Sequence, residues 1–340
     1  MTEIQQAKDS ILFLGDVVLD HPYPVEFSHP KIIFNLEGPL SGGPQPRNKT
    51  WNLCVKDCYL DAVFHPLPSA VSLANNHIMD YGEEALDATC AKLDQLGIQY
   101  FGVGNGATAF GNPLILTCGT KRIGILGYSS GDIGAQLGDE KKNGAAPLRL
   151  ETVAEDMLRL RQKKVDSIIV YPHWGIEHIT LPSPEIVLFA HQLIEMGADL
   201  IVGTHAHCMQ AYEIFAGKPI FYGLGNFIFP SRPLPGYYDE SGMPTKFGNI
   251  VLLQQQQLSL GIEYFPEHGE VRQHFYRFTG KRVINCNGSL ENISELTNDF
   301  QHYSQLFASR YQKDLFLYRL YSFIKCPKPS RILRFLNRET

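Results

Sequence analysis

Long apolar runs are missing from this 340-residue chain. No segment approaches the roughly 18–20 uninterrupted apolar residues that cross a bilayer as a helix. The start, MTEIQQAKDS followed by ILFLG, mixes its charges, and its apolar run is too short for a secretory leader. It reads as a first buried strand, and the chain is expected in the cytoplasm. An excess of positive charge is missing too. The formal net charge is −5, which argues against a nucleic-acid partner, because phosphate binding shows as a basic balance. Cysteines are few and irregularly spaced: Cys54, Cys58, Cys90, Cys118, Cys208, Cys286 and Cys326. Cys54 and Cys58 have no second pair to complete a zinc site, so free thiols in a reducing compartment are expected. Neither a Gly-x-Ser-x-Gly elbow nor a Walker-type phosphate loop occurs. Gly102-Val103-Gly104 lacks the third glycine and the helix opening of a nucleotide loop, and reads as a turn.

Short apolar runs are what the chain has instead. Ile11–Leu14, Lys31–Leu36, Ala70–Leu73, Ile123–Leu126, Val165–Tyr171, Leu200–Val202 and Pro219–Tyr222 each have the length of a buried strand. Helical stretches lie between them. Gly82–Leu96 places Ala85, Leu86, Thr89, Cys90, Leu93 and Leu96 on one face, with Gly97 as cap. Glu151–Lys164 aligns Val153, Met157 and Leu160, and Ser183–Met196 opens on Ser-Pro-Glu. Strands alternating with helices predict an α/β layered domain. Ile250–Gln256, Leu258–Phe265 and Val271–Thr279 follow without helices between them, so the sheets are expected to be mixed. Ser41–Thr50, Ser129–Pro147 and Pro230–Phe247 read as loops.

The strand ends carry the chemistry. They deliver Gly15-Asp16, then Asn35-Leu36-Glu37, then Asn75-Asn76-His77, then His173-Trp174-Gly175 with Glu177 and His178, then His205-Ala206-His207. Open α/β sheets place their sites at the carboxyl ends of strands, and turn chemistry alone does not select imidazole. Carboxylate, amide oxygen and imidazole together form a donor set for divalent cations. Asp16, Glu37, Asn76, His173, His205 and His207 are six candidate ligands, about right for two ions, with Glu37 able to bridge them. His205 and His207, at i and i+2 of an extended segment, are expected to point the same way.

In this order the motifs resemble the CapA family of bacterial capsule and poly-γ-glutamate synthesis proteins. They are Gly15-Asp16, Asn35-Leu36-Glu37, Ala74-Asn75-Asn76-His77-x-x-Asp80-x-Gly82, His173-Trp174-Gly175-x-Glu177, Gly203-x-His205-x-His207 and Tyr222-Gly223-Leu224-Gly225-Asn226-Phe227. The resemblance covers about Ile11 to Phe229 and extends to the calcineurin-like metallophosphatases. It implies a four-layer α-β-β-α sandwich of two mixed sheets, to which the chain's own C-terminal pattern adds a helical tail. It implies one or two divalent ions (Mn, Zn, Fe or Mg) on the six ligands, and His77 facing the leaving group. Asn35, Asn75, Trp174, Glu177, His178 and Asn226 would lie around the ligands or against the substrate; for Trp174, plain packing is an equal alternative. One departure stands out. The usual first motif is Asp-x-His, whereas Asp16 is followed by Val17 and Val18, so one imidazole ligand is absent.

The implied activity is metal-dependent hydrolysis of a phosphoester or γ-glutamyl amide, on a small-molecule or polymer substrate, in exopolymer production. Glu37 and His77 are the catalytic candidates. The alternative is a non-catalytic accessory protein of a synthesis or export complex. Residues 10–285 read as the main domain and 290–340 as a basic, aromatic-rich helical tail. The tail reads either as a helix docked on that domain or as one that meets an anionic membrane or a membrane-bound capsule synthesis complex.

Overall fold

A computed structural model describes residues 9–19, 27–40, 42, 46–48, 52–56, 59–104, 113–229, 258–278 and 283–325. In chain order the strands are β1 (Ile11–Val17), β2 (Ile32–Leu36), β3 (Ala70–Ser72), β4 (Gln99–Phe101), β5 (Val103–Gly104), β6 (Leu114–Cys118), β7 (Lys121–Ser129), β8 (Gly144–Ala145), β9 (Ser167–His173), β10 (Leu200–Val202), β11 (Tyr212–Phe215), β12 (Lys218–Phe221), β13 (Asn226–Ile228), β14 (Leu258–Phe265), β15 (Glu270–Phe278) and β16 (Val283–Cys286). One sheet runs β16-β15-β14-β1-β2-β3-β4, with β13 also on β1; a second runs β11-β12-β10-β9-β7-β6. In the first, β1 to β4 are parallel and β14 to β16 antiparallel. In the second, β7, β9, β10 and β12 are parallel, with antiparallel β6 and β11 at the edges. Both sheets are therefore mixed, as expected.

Side-chain alternation divides the core three ways. Along β1, Ile11 and Phe13 enter the cluster between the sheets, while Leu12 and Leu14 enter the cluster on the outer face. Along β9, Ile169 and Tyr171 face the first sheet, while Ile168 and Val170 face the helices. The helix Gly82–Leu96 covers the first sheet through Leu86 and Leu93. The helices Leu150–Gln162 and Pro184–Glu195 cover the second through Val153, Met157, Leu160, Val187, Ala190 and Leu193. Three separate apolar clusters define the three interfaces of a four-layer α-β-β-α sandwich. Each fully buried aliphatic side chain adds about 1.5–3 kcal/mol.

Some local expectations hold and others shift. Gly97 caps its helix in the left-handed conformation, φ 69°, and Ser183 caps the helix Pro184–Glu195 by accepting the Ile186 N–H. The stretch read as the Ser129–Pro147 loop contains β8, which pairs with β5, so the segment read as a turn at Gly102-Val103-Gly104 is half of a small ribbon. The strand expected over Ile250–Gln256, most of the Ser41–Thr50 loop, the Pro230–Phe247 loop, Cys58, Cys326 and the end of the tail lie outside the described residues.

The helix Phe300–Lys325 docks at its start. Tyr303 is buried and donates its hydroxyl to Pro182 O at 2.6 Å, and Leu306 and Phe307 pack on the cluster between the second sheet and its helices. Asp314 accepts both the N–H and the hydroxyl of Thr180, at 3.0 and 2.8 Å. Among the described residues, no helix is long and apolar enough to cross a membrane.

Candidate metal centre

Strand register assembles the centre before any side chain is considered. Asp16 stands opposite Asn35 on one side and Asn226 on the other, and Asn35 stands opposite Ser72. In the second sheet Ser129 stands opposite His173, which bridges to Thr204. Asp16, Asn35, Ser72, Ser129 and His173 lie at or near the carboxyl ends of parallel strands, whereas Asn226 opens β13. Gly15 permits the approach of the chain to its neighbour: a Cβ there would overlap the carbonyl oxygen of Gly225. That same carbonyl accepts the Asp16 N–H at 3.0 Å.

The six candidate ligands come together, and all are buried. On one side Asp16, Glu37 and His207 have donor atoms within 4.8 Å of one another. His207 Nε2 lies 3.4 Å from Glu37 Oε1, and its Nδ1 lies 3.5 Å from Asp16 Oδ2. On the other side His173 Nε2 lies 3.1 Å from Asn76 Oδ1 and 3.2 Å from His205 Nδ1. Asp16 joins the two halves, since its Oδ2 accepts the His205 N–H at 3.2 Å and its Oδ1 accepts Asn35 Nδ2 at 2.8 Å.

Charge decides whether these donors fit a cation. Burying carboxylates is costly unless charge compensates them. In the described ion pairs Asp16 and Glu37 face imidazoles only. Burial works against charge on His207, but Glu37 and Asp16 outweigh it and lift its pKa to about 10. The two carboxylates thus draw positive charge to this corner, and a divalent cation would supply it where nitrogen and oxygen donors already converge. The donor set fits.

A comparison with known proteins decides the family. The profile described as bacterial capsule synthesis protein PGA_cap matches residues 28–231, more than half of the chain. This chain belongs to that family. A capsule biosynthesis protein CapA of Bacillus anthracis is 26% identical over 221 residues, covering 63% of this chain and 54% of that protein. A probable polyglutamine synthesis accessory protein of Mycobacterium tuberculosis is 35% identical over 180 residues, covering 50% and 47%. The chain spans about half the length of the curated relatives it matches. Among solved structures, a Mycoplasma pneumoniae phosphatase is 12% identical with a TM-score of 0.45, covering 81% of this chain and 94% of that one. The calcineurin-like phosphoesterase YfkN of Bacillus subtilis is 13% identical with a TM-score of 0.39, covering 91% and 99%. The sandwich assigned to this capsule-family chain rests on its own sheet order and core.

The remaining residues divide between holding the centre and leaving it. Asn75 shapes the turn after β3: its Nδ2 donates to Leu36 O at 2.8 Å and Asn35 Oδ1 at 3.0 Å, and its Oδ1 accepts the His77 N–H. Asn226 Oδ1 lies 2.9 Å from His207 Nδ1. The His178 ring stacks on that of His207 at 6.0 Å. Glu177 approaches His205 and His207 from the solvent side. Trp174 resolves as packing: it is fully buried, donates Nε1 to Tyr222 O at 2.9 Å and stacks on that tyrosine.

One geometric expectation is corrected. His205 and His207 do not sit on an extended segment; they have φ of 87° and 54°, in the left-handed region. Non-glycine residues adopt that region at a cost and only where the surroundings impose it. Here the Asp16 carboxylate takes the His205 N–H and Ala206 O takes the His178 N–H. The two rings reach the centre by a turn rather than by strand periodicity. Asp80, the acid of the Asn-Asn-His-x-x-Asp motif, belongs to the site as well. It is fully buried and its Oδ2 lies 2.6 Å from His77 Nδ1; an acid three residues after a candidate histidine was the available signal. Thr204, 2.9 Å from His173 Nδ1, had no sequence signal.

Proposed function

We propose that this chain is a divalent-metal-dependent hydrolase serving capsule or exopolymer production, acting on a phosphoester or a γ-glutamyl-type amide. Asp16, Glu37, Asn76, His173, His205 and His207 would hold one or two ions (Mn, Zn, Fe or Mg). The observation that carries the reading is the buried convergence of two carboxylates, an amide oxygen and three imidazoles at the ends of five strands. When bound, such ions supply Lewis acidity and make water a nucleophile near neutral pH. The chain's own residues do the rest. Asn35 and the His205 N–H fix both Asp16 oxygens, and Thr204 orients His173. Asp80 holds His77 Nδ1, so Nε2 is the nitrogen that hands a proton to the leaving oxygen or nitrogen. His205→Ala or His207→Ala should lose both bound metal and hydrolysis, read by elemental analysis and a substrate panel. Turnover retained by metal-free protein would sink the reading.

A second reading is an accessory protein of a polymer synthesis or export complex, with the metal centre structural. Val18 in place of the first-motif histidine supports it, as does the word accessory in the mycobacterial relative's name. Cytoplasmic residence, a polymer or small-molecule substrate and contact of the tail with a membrane-bound complex belong to the same proposal. Deleting the tail separates the readings: lost association with intact hydrolysis favours the enzyme, and lost association with no hydrolysis in either form favours the accessory.

A further inference from the structure

Two residues beyond Asp16 stands Val18, buried in the apolar cluster on the outer face of the first sheet, so it offers no donor to the centre. That side of the centre is left with Asp16, Glu37 and His207. We propose that Glu177 is a further metal ligand, its carboxylate joining His205 and His207 at the solvent face of the centre. The inference rests on the metal-hydrolase reading and adds a ligand to it.

The geometry supports ligation over accident. A carboxylate oxygen of Glu177 and ring nitrogens of His205 and His207 lie within 4.8 Å of one another. Ligands bound at about 2.0–2.2 Å stand at most about 4.4 Å apart across one ion, so small side-chain rotations suffice. The loop that carries Glu177 is not a loose surface turn. His178 N–H donates to Ala206 O at 2.8 Å, Gln210 Nε2 to Ile179 O at 2.8 Å, and Ala211 N–H to Thr180 O at 3.1 Å. From the other side, Asp314 accepts both Thr180 donors. Gly175 opens the turn at φ 92°, a conformation that suits glycine. The segment is thus bonded along its length to the stretch that supplies the two histidines. The neighbouring imidazole does not hold Glu177 by a hydrogen bond, since His178 Nε2 is 3.8 Å away, beyond hydrogen-bond range. Glu177 also differs from the six buried donors in exposure, with 42% of its side chain accessible. It is the donor a substrate would meet first, and it can swing aside without opening the core.

The test is calorimetric titration of the full chain with Mn²⁺, with Mn²⁺ paramagnetic resonance as a second readout, on wild type and Glu177→Gln. Glutamine keeps the shape at a partly exposed position and removes the charged donor. The expected result is a Mn²⁺ binding event weakened at least about tenfold, an altered resonance spectrum and an unchanged thermal midpoint without metal. Identical isotherms and spectra for the two proteins would overturn the assignment of Glu177 and leave the hydrolase reading standing. A wild-type chain that binds no Mn²⁺ would overturn both, a result distinct from the first.

Discussion

Replacing Asp80 with alanine tests how the His77 turn is held. Asp80 Oδ2 takes two partners at one corner: His77 Nδ1 at 2.6 Å and the Leu53 N–H at 2.8 Å. Both Asp80 and Leu53 are essentially inaccessible. Alanine leaves two buried donors without their acceptor, at about 1–3 kcal/mol each, so the loss should be about 2–6 kcal/mol. That is a large part of the roughly 5–15 kcal/mol by which domains are stable. Asparagine can set its carbonyl oxygen at the same corner and lose only the charge, about 1–2 kcal/mol. Equilibrium urea unfolding of the two variants reads the difference directly. An alanine variant within about 0.5 kcal/mol of wild type, the range of an ordinary surface change, would refute the role given to Asp80. If His77 is the proton donor, Asp80→Asn should also slow hydrolysis by about 10²–10⁴ while leaving metal content unchanged.

Other consequences are local. Burial pushes the Cys208 thiol up to about 12, so native protein at pH 8 should leave Cys208 unalkylated until unfolded, as mapped by mass spectrometry; rapid native labelling would contradict its placement. Asp314→Ala removes the acceptor for both Thr180 donors and should speed proteolytic cleavage near residues 300–325; an unchanged digestion pattern would contradict the docking. For Glu263, burial raises the pKa, but hydrogen bonds from His274, His29 and Ser10 outweigh it and hold the carboxyl well below its usual range. A depressed folded pKa gives stability that is present above the unfolded value and lost as pH falls below it. Unfolding free energy should therefore decline below about pH 4.3, and Glu263→Gln should flatten the decline; an identical slope in the variant would contradict it.

Much of the fold was legible because short Val, Ile and Phe runs reveal buried strands whatever their partners. Ile11–Leu14, Leu200–Val202 and the face of Gly82–Leu96 were placed nearly where they occur. The small ribbon of β5 and β8 was not, because two-residue strands rich in glycine and alanine carry no periodic signal and exist through pairing alone. Within the centre, residue types announced Asp16, Glu37, Asn76 and the histidines as donors. The sequence could not tell that His205 and His207 turn through left-handed backbone, since tertiary contacts impose it: Asp16 accepts the His205 N–H, and the His178 N–H donates to Ala206 O. For the same reason Trp174 could not be assigned: its partner, Tyr222 O, is 48 residues away.

The central claim is a divalent-metal centre, and equilibrium dialysis against Mn²⁺ or Zn²⁺ followed by elemental analysis tests it most directly. The account predicts one or two ions retained per wild-type chain and fewer in His205→Ala and His207→Ala. It also predicts a thermal midpoint that falls on chelation, since ion at about 100 times its dissociation constant stabilises by about 2.7 kcal/mol. Wild-type protein that retains no ion, with a midpoint indifferent to chelator, would contradict it.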